Sequence, residues 1–163
     1  MSEQPDLVEL EAKVHEIEAQ LDELQLDHFT NGDAHRLGLI LHRYAVDRRL
    51  PITIDVTRGT QVVFHLAMDG TTESNDDWVR RKTRAVQRFG VPSLLIGLRP
   101  RLVGRRIEDE AWFDERRFAA HGGSFPVLVR DVGMVATVTV SGLAQEDDHA
   151  LVVEALRELI AGS

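Results

Sequence analysis

Two strand–turn–strand patterns constrain the fold of this chain more than any other feature in it. In the first, Ile52-Thr53-Ile54-Asp55-Val56-Thr57 runs through Arg58-Gly59-Thr60 into Gln61-Val62-Val63-Phe64-His65-Leu66. In the second, residues 125–129 cross Arg130-Asp131-Val132-Gly133 into residues 134–140. Connections this short cannot carry a parallel crossover, so each pattern predicts an antiparallel hairpin. Helical patterns surround them. One follows Thr30-Asn31-Gly32-Asp33 with Leu37, Ile40, Leu41, Tyr44 and Ala45 on one face, and Pro51 closes it. Another is predicted over 78–89, capped by Ser74-Asn75-Asp76-Asp77 and stopped at Gly90. A short helix follows Pro92, residues 99–118 read as a partly helical excursion, and a last helix spans about 145–160. Hairpins interleaved with helices make an α+β domain, with helices covering an antiparallel sheet.

Ahead of this domain, Leu7, Leu10, Val14, Ile17, Leu21 and Leu24 are spaced 3, 4, 3, 4, 3, which is a heptad seam. Pro5 suits the first turn of such a helix, and Asp6 and Glu9 favour its positive end. An isolated helix this short is marginal in water, so its apolar stripe must be covered. The reading is a coiled-coil-like oligomerisation helix over 1–26 and an α+β domain over 27–163, the alternative being a helix folded back on its own domain.

Composition excludes several chemistries. With no cysteine among 163 residues, disulfides, thiolate metal sites and cysteine nucleophiles are ruled out. No apolar run approaches the roughly 20 residues that span a bilayer, and the first residues lack the order of a secretory signal, so a cytoplasmic protein without a membrane partner is expected. A net charge of −8 argues against nucleic acid as a partner. The charge is uneven, however: residues 1–33 carry ten acids and one base, whereas 80–117 carry eleven bases and five acids. That asymmetry suits an anionic ligand or a subunit contact, and equally a solvated arginine-rich face. No dinucleotide or phosphate loop, HExxH or nucleophile elbow is present.

Two stretches are candidates for chemistry. Ala120-His121-Gly122-Gly123-Ser124-Phe125-Pro126 leads into a strand, and its glycines permit close approach of backbone to a ligand. His121 suits an axial ligand, a general base or a hydrogen-bond donor. Ser141-Gly142 leaves the other strand of that hairpin and leads through Glu146, Asp147 and Asp148 to His149. The acids suit helix capping, but capping gives no reason for His149. Antiparallel pairing puts the start of one strand beside the end of the other, so these two turns are expected to form one pocket. His65 is predicted at a half-exposed strand position.

The same segments, with Ile54-Asp55-Val56-Thr57-Arg58-Gly59, Asp69-Gly70-Thr71-Thr72 and Asn75-Asp76-Asp77-Trp78-Val79-Arg80-Arg81-Lys82, resemble one family. It is the heme-degrading-domain group of the HbpS-like and GlcG-like superfamily, and the likeness covers roughly residues 27–161. The resemblance implies a profilin-like fold, an antiparallel sheet of about five strands flanked by helices, with the fifth strand within 91–106. It also implies a homo-oligomer built from dimers, and heme as cofactor, with heme degradation as the associated activity. His121 and His149 are then the iron ligands (with His65 a third candidate), and Asp148 joins the two histidines as catalytic. Gly122, Gly123, Ser124, Ser141, Gly142, Arg58, Arg81 and Lys82 are expected to bind the ligand. Two other readings stay open: an enzyme acting on a small organic acid or metabolite with a histidine base, and a non-catalytic oligomeric interaction protein.

Overall fold

A computed structural model describes residues 7–163. The expected roles of Pro5 and Asp6 fall outside that range. The described chain runs α1 (Leu7–Glu23), β1 (Gln25–Leu26), α2 (Asn31–Arg48), β2 (Thr53–Arg58), β3 (Gln61–Ala67), α3 (Glu73–Phe89), α4 (Ser93–Leu98), β4 (Ser124–Val129), β5 (Gly133–Ser141) and α5 (Gln145–Ala161). The sheet order is β1-β4-β5-β2-β3. Both predicted hairpins form, β2 with β3 and β4 with β5, and β5 pairs antiparallel to β2 to join them.

The fifth strand is not within 91–106. It is β1, and it pairs parallel to β4 through Gln25 with Leu128 and Leu26 with Val129. Two residues carry too little pattern to announce a strand. β1 is short because the outer edge of β4 is managed differently along its length. Ser124 N donates to Ser93 Oγ at 3.0 Å, Pro126 has no N–H to offer a neighbour, and only beyond it does β1 pair.

The run Thr30–Asp33 supplies the cap of α2 as expected, through a reciprocal capping box of Thr30 and Asp33, but the helix starts inside that run, at Asn31. α3 begins earlier than predicted: Thr72 is its cap, with Asn75 as the reciprocal partner, so Glu73–Asp76 are its first turn. Residues 99–118 hold two 3₁₀ turns, Arg99–Val103 and Ile107–Asp109, within otherwise irregular chain.

The two faces of the sheet differ in chemistry. Alternation puts Ile54, Val56, Phe125, Val127, Val138 and Val140 on one face, where they form the main core with α2 and α5. The other face carries Thr53, Asp55, Thr57, Ser124, Thr137, Thr139 and Ser141, all buried. α3 and α4 cover it. A hydroxyl chain crosses this layer: Thr83 Oγ1 lies 3.0 Å from Thr139 Oγ1, which donates to Ser124 Oγ at 2.9 Å.

The heptad seam is covered by the chain itself. Val14 and Ile17 form an apolar cluster with Leu94 and Leu95, and Leu24 joins the main core. Only its first residue, Leu7, and the neighbouring Val8 remain well exposed. The acidic outer face of α1 pairs with Arg99 through Glu18 and with Arg157 through Glu23. Among the described residues, no helix is long and apolar enough to cross a membrane.

Candidate functional site

The turn before β4 and the turn after β5 do meet. Ser124 pairs with Thr139, and Val140 N donates to Gly123 O at 2.9 Å, so the glycines lie beside the end of β5. Here the first half of α3 and the first turn of α5 close over the sheet end and leave a cavity of about 330 Å³. Its walls are Ser74, Asn75, Trp78 and Lys82 of α3, His121, Ser141, Gly142 and Leu143 from the turns, and Gln145 and Asp148 of α5.

The floor of the site is an ion pair. Lys82 Nζ is 3.1 Å from Asp148 Oδ2 and donates to Val140 O at 3.2 Å, and both side chains are buried. Asp148 also accepts from Gly142 N at 3.3 Å and Leu143 N at 3.0 Å. Burial pushes the Asp148 carboxyl up and the Lys82 ammonium down, each opposed by the charge of the other. Asp148 is therefore not a surface capping acid. It pins the Ser141–Leu143 turn to α5, while the residue before that helix, Ala144, contributes no side-chain cap.

The glycines serve packing. A Cβ on Gly122 would lie 2.1 Å from Gln145 O, and the Gly122 N–H is already donated to Gln145 Oε1 at 3.1 Å. Gly123 has φ of +136°, and a Cβ there would meet Val140 O at 2.3 Å and Lys82 Nζ at 2.8 Å. The backbone N–H groups of these turns are partly used within the fold: the amides of Gly122 and Gly142 point at side chains of the same chain.

His121 stands on the cavity wall, half-buried, with the Trp78 ring edge-on at 5.2 Å. Burial, aided by the charges of Lys82, Arg101 and Arg81 and opposed by Glu108, holds it below the ordinary imidazole range. It is neutral at neutral pH, and neither ring nitrogen hydrogen-bonds to another described residue.

The other expected site residues are elsewhere. His149 does not line the cavity. Its ring is buried beside Phe125, with Nε2 at 2.7 Å from Gln20 Oε1 of α1, and burial pushes it down to about 4. Arg58 donates to Phe29 O at 2.6 Å, away from the cavity walls. Arg81 stacks 4.0 Å over Trp78 and bonds Asp77 at 2.9 Å. Ser124 belongs to the hydroxyl chain beneath α3. His65 lies between two carboxylates, Nδ1 at 2.8 Å from Asp55 and Nε2 at 2.9 Å from Asp76. Sequence reasoning did not single out Ser74, Asn75, Trp78 or Gln145 as wall residues, nor Arg101, whose charge reaches His121. For the wall residues the only signal was position near the starts of α3 and α5, and the start of α3 was misplaced; Arg101 comes from the 3₁₀ turn Arg99–Val103, which carried no such signal.

A larger groove of about 450 Å³ lies between α2, the β1 edge and the end of α5, over Leu26, Leu39, Ile40 and Leu159. None of the expected site residues line it. Its charges are paired, Asp33 with Arg36 and Glu158 with Arg43 inside it and Asp27 with Arg130 beyond it.

Comparison with known proteins agrees with this architecture. The family described as haem degrading protein HbpS-like matches residues 29–157, leaving α1 outside. UPF0303 proteins of Streptomyces avermitilis and Streptomyces coelicolor are 46% and 48% identical over 147 residues, 90% of this chain and 90% and 93% of theirs. Among solved structures, the Ybr137w protein is similar at a TM-score of 0.83 and 27% identity, over 91% of this chain and 88% of that one. The PduOC:heme complex is similar at a TM-score of 0.63 and 16% identity, over 79% and 93%, a likeness of fold. A match across most of the chain and relatives this close show that the chain belongs to the HbpS-like family, the one described as haem degrading protein HbpS-like.

Proposed function

We propose that the cavity between the His121 turn and the Ser141–Gly142 turn binds heme, with His121 as the protein ligand to iron. The observation that carries this reading is the state of the His121 ring: neutral, on a cavity wall, and with no hydrogen-bonding partner for either nitrogen among the described residues. A neutral imidazole with a free lone pair is a common protein ligand to heme iron. Family membership supports the reading, as does a fold shared with a protein solved in complex with heme.

The residues fit ligation from one side. Trp78 and Leu143 supply apolar surface, and Trp78 limits rotation of the His121 ring. His149 is committed to Gln20 and His65 to two aspartates, so neither supplies a second ligand. The volume of about 330 Å³ lies at the low end of ligand cavities, roughly 300–1,000 Å³, so a group as large as heme would extend beyond the cavity. Of the basic residues expected to bind the ligand, Arg81 and Lys82 are engaged within the fold. Arg101, which makes no ion pair among the described residues, suits that role better. Bound heme would be held through its iron by His121 and would supply redox chemistry at that centre.

Titration with hemin tests this. The wild-type chain is expected to give a shifted Soret band that His121→Ala loses and His149→Phe keeps. Equal spectra and affinity for wild type and His121→Ala would refute it. A second reading rests on the polar walls, Ser74, Asn75, Ser141 and Gln145, around a neutral base. They suit a small carboxylate substrate with His121 as general base. Thermal stabilisation by small organic acids but not by hemin would favour that reading.

A further inference from the structure

His65 lies outside the ligand cavity and makes the contacts of a latch. Its two ring nitrogens face carboxylates from two elements, Asp55 of β2 at 2.8 Å and Asp76 of α3 at 2.9 Å. A neutral imidazole carries one N–H, so its other nitrogen would turn a lone pair toward a carboxylate oxygen. Both contacts are made together only by the imidazolium, which donates at both nitrogens.

The two carboxylates are not equivalent. Asp55 is buried and braced by Thr57 Oγ1, which donates to Oδ1 at 2.6 Å. Asp76 is partly exposed and can be rehydrated. When His65 loses a proton, the Asp76 contact is therefore the one that breaks. Asp76 belongs to the first turn of α3, whose neighbouring residues Ser74, Asn75 and Trp78 line the cavity. Among the described residues, no other side chain of 73–77 bonds outside α3 and its cap: Asn75 and Thr72 cap each other, and Asp77 holds Arg81. We propose that protonated His65 latches the first turn of α3 onto the sheet, and that its deprotonation loosens the Ser74–Trp78 wall of the ligand cavity.

The charges acting on His65 are consistent with this. Burial works against the imidazolium, but Asp55 and then Asp76 outweigh it and hold the group above the ordinary 6.5. Arg80, one helical turn from Asp76, makes no ion pair among the described residues that would compete. The latch is thus closed below neutral pH and opens as pH rises through the titration of His65.

The proposal concerns the cavity read above as the ligand site, and its first test needs no ligand. Trp78 emission is followed from pH 5.5 to 9.5 in a Trp112→Phe background, with hydrogen exchange of the 73–79 amides. One transition with a midpoint above 6.5 is expected. It should vanish in His65→Gln and move to lower pH in Asp76→Asn, while His121→Gln leaves it in place. A transition above pH 6.5 that persists in His65→Gln, or the absence of one there from the wild type, would overturn the latch, whereas a change below 6.5 that His121→Gln removes belongs to His121 beside Trp78. Hemin affinity at pH 6.5 then tests the link to the site. His65→Gln is expected to weaken it about fivefold, equivalent to ~1 kcal/mol. Equal affinities would break that link, whereas failure of hemin to bind either protein, with the emission change intact, refutes the heme reading and leaves the latch standing.

Discussion

Lowering the pH from 7 to 4.5 should destabilise this fold through one side chain that lies outside the cavity. His149 is 2% exposed, and with Gln20 presenting its oxygen at 2.7 Å, Nε2 carries the ring proton. Nδ1 then holds a buried lone pair without a partner among the described residues. Protonation would place a second N–H and a charge where nothing accepts them. Burial, with Lys13 adding to it and Glu16 opposing, pushes the group from 6.5 to about 4. Because the folded value is depressed, the unfolded chain takes up the proton first as the pH falls. Stability is therefore lost between about pH 6.5 and 4, and His149 contributes no pH dependence above that window. At 1.36 kcal/mol per pH unit, the loss by pH 4.5 is roughly 2 to 3 kcal/mol. Carboxylates titrate in the same range, so the measurement is a difference: urea unfolding of wild type and His149→Phe at pH 7 and 4.5. The variant leaves the Gln20 oxygen unpaired and costs ~1–3 kcal/mol at pH 7. By pH 4.5 the gap should close or reverse, by the amount just given. Parallel pH profiles for the two proteins would refute the assignment of a neutral, buried His149.

Two further outcomes follow from buried contacts. Removing one partner of the Lys82–Asp148 pair, as Lys82→Met or Asp148→Asn, should cost ~3–5 kcal/mol, because a buried charge is left uncompensated. The double variant should recover much of that, so a thermodynamic cycle in urea with additive losses would contradict the coupling. Ile17→Ala, at a residue with no exposure, should cost ~2–5 kcal/mol at any protein concentration, since Leu94 and Leu95 of the same chain cover it. A loss that grew on dilution would instead place the α1 seam between subunits.

The hairpins were legible because alternation and tight turns are local, and so were the caps of α2. β1 was not, because two residues carry no periodicity, and its pairing depends on Ser93 and Pro126 far along the chain. The heptad spacing of α1 was read correctly as an apolar seam, but spacing does not say what covers a seam. Here the cover is the Leu94–Leu95 helix, itself one of the few strongly apolar stretches of the sequence. The start of α3 was misplaced because Ser74, Asn75, Asp76 and Asp77 are all plausible caps, and only the Thr72–Asn75 reciprocity decides among them.

The candidate site shows the same division more sharply. Pairing of β4 with β5 follows from a hairpin, so the meeting of its two end turns could be derived before any coordinates. Which histidine faces the cavity could not. His121 and His149 are both adjacent to those turns, but helical phase decides the second: Asp148 lines the cavity, and one residue on, His149 turns into the core toward Gln20. A step of about 100° along a helix separates a wall residue from a buried one. The sequence treated the two as neighbours with one role. The fold uses Asp148 to hold Lys82 beside the cavity and His149 to hold α1 onto the domain, leaving His121 as the imidazole on the cavity wall with no hydrogen-bond partner among the described residues.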